Sequence, residues 1–364
     1  MKKIIASLLA AACMSSCVCG VLAFEPQDIP NQNGFLYGID ASERQMENLD
    51  RGLSVVHTSE GNYLSWRLFV NEDTVYGTAK NNAAFDIYKN GQKIATEKYS
   101  TNYTDIGGTV SDKYSVALAG GEKCAEVTPY TSGSNYFDIQ IDRPAALTLD
   151  DGVTYQYSIG DTSCGDLDGD GQYELVVKWD CNPKDNSQAG YTGNVLLDAY
   201  DMYTGKKLWR VDLGKNIRAG AHYTQFLVYD FDMDGKAEVA CKTAPGSKDG
   251  RGEYVTKVSS VDEIKNKTNS DNEVSYVNTS GYIITGDEYY TVFSGQTGAA
   301  IDTIYFPVQR VSADVWGDSH GNRCDRYAAS VAWLDGERPY AVYWRGYYHG
   351  RNGKQRLGTC GVII

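Results

Sequence analysis

The sequence predicts an all-β protein: a β-sandwich followed by the first blades of a β-propeller. Three observations predict it. The 364-residue chain carries 28 tyrosines against 9 phenylalanines, and tyrosine favours strands. It has 38 glycines but only 8 prolines, a composition of many turns. Beyond residue 150, an acidic loop that runs into a strand alternates with a strand, Thr-Gly turn, strand unit. Propeller blades repeat in this way.

The elements follow in chain order. Residues 1–23 have the layout of a secretory signal: Lys2 and Lys3, an apolar core over 4–12, and Val21-Leu22-Ala23 as a cleavage site before Phe24. Cys17 offers lipid attachment as the alternative. Either way the protein is expected outside the cell, secreted or on the cell surface. No later segment is long and apolar enough to span a membrane. Residues 24–45 read as a polar linker. Over 46–145, GNYLSWRLF, FDIYKNGQKIA and DKYSVALAGGEK place apolar clusters between turn signals such as Asn90-Gly91 and Gly120-Gly121. Trp66 and the Tyr-Ser-Val strand resemble a fibronectin-type sandwich.

Residues 146–350 carry the repeats. GDLDGDGQYELVVKW (165–179) recurs as YDFDMDGKAEVACKT (229–243), and a worn copy, WLDGERPYAVYW, spans 333–344. LLDAYDMYTGKKLW (196–209) and YTVFSGQTGAAIDTI (290–304) are the two Thr-Gly hairpins. Residues 246–288 are polar, with little apolar periodicity, and read as a long excursion.

Asp166, Asp168 and Asp170 precede Gly171, and Asp230, Asp232 and Asp234 precede Gly235. EF-hand loops open with the same spacing but need a glutamate at the twelfth position. Here those positions are Val177 and Cys241, inside strands. Three clustered carboxylates repel one another unless a hard cation neutralises them. The loops therefore point to calcium in a structural role, the alternative being solvated Asp-Gly turns. Glu174 and Glu238 fall at the ninth position of each loop and read either as further ligands or as strand starts.

The net charge of −13 argues against a nucleic-acid partner, since phosphates require basic patches. It leaves room for an anionic ligand if bound cations mediate. Six cysteines remain beyond the signal, none in a CxxC pair, so zinc is poorly served. Cys164 and Cys181 flank one strand and read equally as thiols or as a disulfide. Nothing in the sequence signals an oligomer, so a monomer is expected.

The wording between the loops is specific. RQMENLDRG (44–52), VKWDCNPKDNSQAGYTGNVLLDAY (177–200), LWRVDLGKNIRAGAHYTQF (208–226) and FSGQTG together resemble the rhamnogalacturonan lyases of polysaccharide lyase family 11. The resemblance runs from about residue 44 to residue 348. It implies an eight-bladed propeller with an attached β-domain, several calcium ions, and β-elimination in the rhamnose–galacturonic acid backbone of rhamnogalacturonan I in pectin. Such an elimination removes the C5 proton beside a uronate carboxylate. It needs a base and a positive charge on that carboxylate.

Carried over by position, the resemblance puts Asp161 and Asp180 in the substrate cleft, and Gly160 stands where the family commonly has a substrate-contacting Asn. Asp180 also reads as a cap for the turn at Asn182-Pro183, and Lys178 as a side chain snorkelling along its strand. Arg218 and Lys215 read equally as partners for a substrate carboxylate or as surface charges. His222 reads as a cleft residue, a metal ligand or a hydrogen-bonded core histidine. No residue is assigned as the base.

The text after 350, RNGKQRLGTCGVII, resembles neither a blade nor a binding tail, and residues 351–364 are expected to be aberrant. The chain is accordingly read as an incomplete propeller of impaired activity. The rival reading is a non-catalytic calcium-stabilised propeller that binds carbohydrate or protein. A quinone-dependent dehydrogenase is weaker, because its tryptophan docking motifs are not repeated here.

Overall fold

The computed structural model describes residues 50–363 except 70–71, 73–82, 99, 132–137, 335–336, 347–348, 352–353 and 357–358. The proposed signal and linker lie outside these. The described chain is all-β, with twenty-one strands and only short helical turns. None of its helices is long and apolar enough to cross a membrane.

The first six strands are β1 (Ser54–Thr58), β2 (Gly61–Ser65), β3 (Ala84–Lys89), β4 (Gln92–Lys98), β5 (Asn102–Ile106) and β6 (Tyr114–Leu118). They form two three-stranded sheets, ordered β1-β2-β5 and β4-β3-β6. Val55 and Leu64 from one sheet meet Phe85, Ile87, Tyr114 and Val116 from the other in a single core closed by Trp66. Asn90 and Gly91 connect β3 to β4 with φ of 50° and 80°, the left-handed pair that a two-residue hairpin requires. A polar rivet crosses the core: Asn62 donates to the Tyr114 hydroxyl at 2.8 Å, which donates to Asp105 at 2.5 Å.

After a small pair, β7 (Leu147–Thr148) and β8 (Thr154–Tyr155), two meandering four-stranded antiparallel sheets follow. The first contains β9 (Tyr157–Gly165), β10 (Glu174–Cys181), β11 (Leu196–Asp201) and β12 (Lys207–Asp212). The second contains β13 (Phe226–Tyr229), β14 (Glu238–Thr243), β15 (Tyr289–Phe293) and β16 (Ala300–Tyr305). Short helices at Asp262–Lys265 and Asn269–Glu273 punctuate the polar excursion.

In the third sheet, β17 (Tyr327–Ala332) and β18 (Tyr340–Arg345) are joined by β21 (Thr359–Ile363), with a side hairpin of β19 (His349–Arg351) and β20 (Lys354–Arg356) between. The tail thus adds a strand to a sheet where the sequence signalled irregular chain. Its backbone extends opposite β18, from Ala341↔Ile363 to Arg345↔Thr359.

Strand alternation stacks these sheets face to face. Val239 and Cys241 of β14 pack toward the first sheet, against Val176, Leu197 and Trp209. Ala240 between them packs toward the third, with Tyr290, Phe306, Tyr327 and Tyr343. Trp209 adds a bond from its indole N–H to the Gly295 carbonyl at 2.5 Å. The β1–β6 region touches the first sheet through Arg67, whose guanidinium lies 4.6 Å from the Tyr173 ring centroid.

Between the second and third sheets the core is charged. Glu288, 3% exposed, bonds Arg345 at 2.6 and 3.0 Å, Arg310 at 2.9 Å and Lys242 at 3.2 Å. Asp325 shares Arg310 and Arg345 at 3.3 and 3.0 Å. Burial alone would raise the Glu288 pKa, but Arg345, Lys242 and Arg310 hold it well below the usual carboxylate range. A depressed folded-state value stabilises the protein above the unfolded-state pKa, and that stability is lost as pH falls through the folded value. Replacing Glu288 by Ala leaves buried Lys242 without an anion and Arg310 and Arg345 sharing Asp325 alone, so Glu288→Ala is expected to cost about 3–5 kcal/mol in denaturant unfolding. An unchanged midpoint would show that the cluster is not structural.

Candidate functional site

The two acidic loops fold alike. In the first, Asp166 accepts the backbone N–H groups of Gly169 at 2.7 Å and Gly171 at 2.8 Å, and Glu174 reaches back to the Leu167 N–H at 2.8 Å. In the second, Asp230 accepts from Asp234 at 3.1 Å and Gly235 at 2.9 Å, and Glu238 takes the Phe231 N–H at 2.9 Å. Gly171 and Gly235 adopt φ of 88° and 90°, where a side chain would be strained.

Oxygens of Asp166, Asp168 and Glu174 lie within 4.8 Å of one another, as do those of Asp230, Asp232 and Asp234. Glu174 therefore joins the first acidic group, while Asp170 and Glu238 stand outside these two groups. Burial pushes Glu174 and Glu238 up to about 7, reinforced by the neighbouring aspartates. Hard carboxylate oxygens crowded at this distance match the donor set of calcium.

The other end of β10 carries the cleft candidates. Val176, Lys178 and Asp180 share a face by alternation. Val176 belongs to the core against the second sheet, so Lys178 and Asp180 continue that face where the apolar core stops. Lys178 is 1% exposed, and its ammonium donates to the Thr224 carbonyl at 3.2 Å. Asp180 is 2% exposed, and its Oδ1 has no hydrogen-bond partner among the described residues. Burial raises its pKa, against the pull of Lys178 and the Gly220 N–H. Asp161, opposite Lys178 in the β9–β10 register, is exposed.

His222 is half-buried on the loop before β13. Burial lowers its pKa, and Arg326 and Lys178 lower it further, so all three favour the neutral imidazole over its charged form while Asp185 opposes them. Arg326 reaches Asp185 at 3.4 Å. Lys178, Asp180, His222, Asp185 and Arg326 thus form one neighbourhood of mixed charge.

Arg218 occupies a different setting from the cleft candidates. It is buried, donates to the carbonyls of Gln188 at 2.5 Å and Gly190 at 3.1 Å and to the Tyr223 hydroxyl, and lies over the Tyr223 and Tyr282 rings. It pins the 185–190 loop. Lys215 is exposed. Cys181 is a buried free thiol, leaving the disulfide alternative without support.

Sequence reasoning missed the support beneath this neighbourhood. Asn186 donates to the Asp325 carbonyl at 2.8 Å, and the Tyr327 N–H donates to the His222 carbonyl at 3.0 Å. The loops bearing Asp185 and His222 therefore rest on the charged core around Glu288. The one available signal was Lys242, which repeats Lys178 eight residues after Asp234, as Lys178 follows Asp170.

Fold and site together define an all-β protein whose repeated loops carry crowded carboxylates and stand across the strands from a neighbourhood of mixed charge. Comparison with known proteins places it further. Residues 136–352 match the model of rhamnogalacturonan lyase family 11, C-terminal domain, and residues 44–140 that of the rhamnogalacturonan I lyases beta-sheet domain. The chain belongs to rhamnogalacturonan lyase family 11, as its resemblance implied.

Among its relatives, the rhamnogalacturonan endolyase YesW of Bacillus subtilis (strain 168) is 47% identical over 313 residues, covering 85% of this chain and 47% of that protein. The rhamnogalacturonan exolyase YesX of the same organism is 44% identical over 311 residues, covering 84% and 47%. The solved structure of a Bacillus licheniformis rhamnogalacturonan lyase superposes with a TM-score of 0.71 at 45% identity, covering 88% of this chain and 53% of that one. The chain thus spans about half the length of these relatives.

Losing the Arg218 fork leaves two loop carbonyls unpaired. Arg218→Lys is accordingly expected to cost about 1.5–3 kcal/mol in unfolding measurements. Unchanged stability with weakened carbohydrate binding would instead place Arg218 at the ligand.

Proposed function

We propose that the chain acts as a rhamnogalacturonan lyase, cleaving the rhamnose–galacturonic acid backbone of rhamnogalacturonan I by β-elimination. The observation that carries this reading is the identity to named rhamnogalacturonan lyases sustained across both the β1–β6 region and the stacked sheets. On this reading β1–β6 form a sandwich domain and the three stacked sheets are blades of a propeller, with the charged strand ends as the polymer's cleft. Face-to-face packing of consecutive meander sheets supports the blade reading. The signal layout supports export.

In the cleft, Lys178 and Arg326 supply positive charge for a uronate carboxylate, while Asp161 and Asp180 offer acceptors to sugar hydroxyls. His222, whose neutral form these cations favour, is available to hold a proton. Asp166, Asp168 and Glu174 would hold one calcium ion and Asp230, Asp232 and Asp234 another. Bound calcium would neutralise crowded acids and fix both turns.

Rhamnogalacturonan I incubated with the purified chain should develop the ultraviolet absorbance of a conjugated uronate, which elimination produces and hydrolysis does not. Binding without that absorbance would replace the lyase reading by the non-catalytic one, which the acidic loops serve equally well. For calcium, saturation at a hundredfold over Kd should add about 2.7 kcal/mol per site, seen as a rise in Tm that a chelator reverses. Asp166→Asn and Asp230→Asn should each remove one loop's share. A Tm indifferent to calcium in the parent would exclude the ion from both loops.

A further inference from the structure

The turn that carries His222 is fastened to β10 on either side of it. The Gly220 N–H bonds Asp180, and the Thr224 carbonyl accepts the Lys178 ammonium at 3.2 Å. His222 stands midway between these anchors. Its carbonyl accepts the Tyr327 N–H at 3.0 Å, and the Ala221 carbonyl accepts the Gln225 side-chain amide at 2.9 Å. The backbone under the imidazole is therefore held by β10, by β17 and by its own turn. The ring is not held in this way. Neither of its nitrogens makes a hydrogen bond among the described residues, whereas Nδ1 of His57 bonds Asn62 at 2.8 Å. A histidine kept for packing has its ring nitrogens satisfied when it is partly buried. His222 is half-buried with both unused.

We propose that His222 is the catalytic base of the elimination, one of its ring nitrogens taking the C5 proton of a galacturonate whose carboxylate is drawn to Arg326. The inference rests on the lyase reading above and deepens it. The charged groups around the ring are Arg326 from the chain before β17, Lys178 from β10 and Asp185 from the loop after β10. The two cations disfavour the imidazolium and so keep a free base in place. The same cations favour the negative charge that grows on the uronate as its proton leaves. In the step, the C5–H pair becomes the C4=C5 double bond. The C4–O bond breaks, and its pair leaves on the rhamnose oxygen, which takes a proton from water. The imidazolium returns its proton to the hydroxide left behind. C5–H and C4–O lie on opposite faces of a galacturonate ring, so the imidazole serves the C5 proton alone.

The test follows ultraviolet absorbance on rhamnogalacturonan I for the parent and His222→Gln, through the histidine titration range. Proton NMR of the parent is titrated in parallel, the His222 signal being the one missing from the variant. General-base catalysis contributes about 10²–10⁴-fold, so His222→Gln should lower kcat by at least about a hundredfold, with KM and Tm close to parental. In the parent, kcat/KM should fall on the acid side with a midpoint below the ordinary histidine value of about 6.5. That midpoint should coincide with the His222 midpoint in NMR, and Arg326→Gln should move both upward together. A variant that keeps kcat and raises KM makes His222 a binding residue, and one that keeps both makes it a bystander. Either result overturns the proposal. If His222→Gln does not fold, the parent decides alone: an acid midpoint that departs from the His222 signal overturns the assignment. A parent that produces no absorbance overturns the lyase reading and the base with it. That failure is distinct from an active chain that does not need His222.

Discussion

The loops around Lys178 and His222 depend on a single carboxylate. Glu288 is buried with two arginines and a lysine drawn from three different segments, and Asp325 is the second anion among them. Three cations against two carboxylates would be ruinous in an apolar interior if any partner were missing, because desolvation exceeds the attraction unless every lone pair and proton is used. Here they are used: Arg345 also donates to the carbonyls of Cys324 and Val308, and the Tyr327 hydroxyl reaches Glu288. The cluster replaces hydrophobic packing where the sheets meet the loops that carry Asn186 and His222. It transmits rigidity through Asp325 to Asn186 and through Tyr327 to His222.

Charge is segregated along each strand. In β10, Glu174 stands at the loop end and Lys178 four residues on; in β14, Glu238 and Lys242 repeat the spacing. Four residues of strand are about 13 Å, so the acidic loops and the buried lysines stand at opposite ends of each strand.

What could be read from sequence was what short-range pattern encodes. The Asn90-Gly91 hairpin, the buried Trp66 and both Asp-Gly loops follow from residue types a few positions apart, and the structure forms each of them. The Glu288 cluster was invisible because its bonds join residues 57 and 22 apart in sequence, and no local periodicity marks such a pair. Arg218 was ambiguous for the same reason. A lone arginine in NIRAGAH carries no sign that Gln188 and Gly190, some thirty residues earlier, will present carbonyls to it. In the tail, glycines and basic residues hid a strand that forms only by pairing with β18.

The two repeats show how one motif serves two purposes. At the loop end they are nearly superimposable in their hydrogen bonds. At the cleft end they diverge, and the divergence lies in the inner strand. β13 stops pairing at Phe226↔Cys241, one residue short of Lys242, so that lysine turns to Glu288 and becomes part of the interior. β9 continues past Lys178 through the bulge at Gly160 to pair Ser158 with Asp180, so this lysine has carboxylates beside it rather than a closed ion pair. A cation neutralised on all sides can only support structure. A cation whose nearby acceptor, Asp180, still has an unused oxygen retains binding capacity. The longer inner strand and its unpaired glycine, rather than the shared acidic loop, set the first repeat apart from the second.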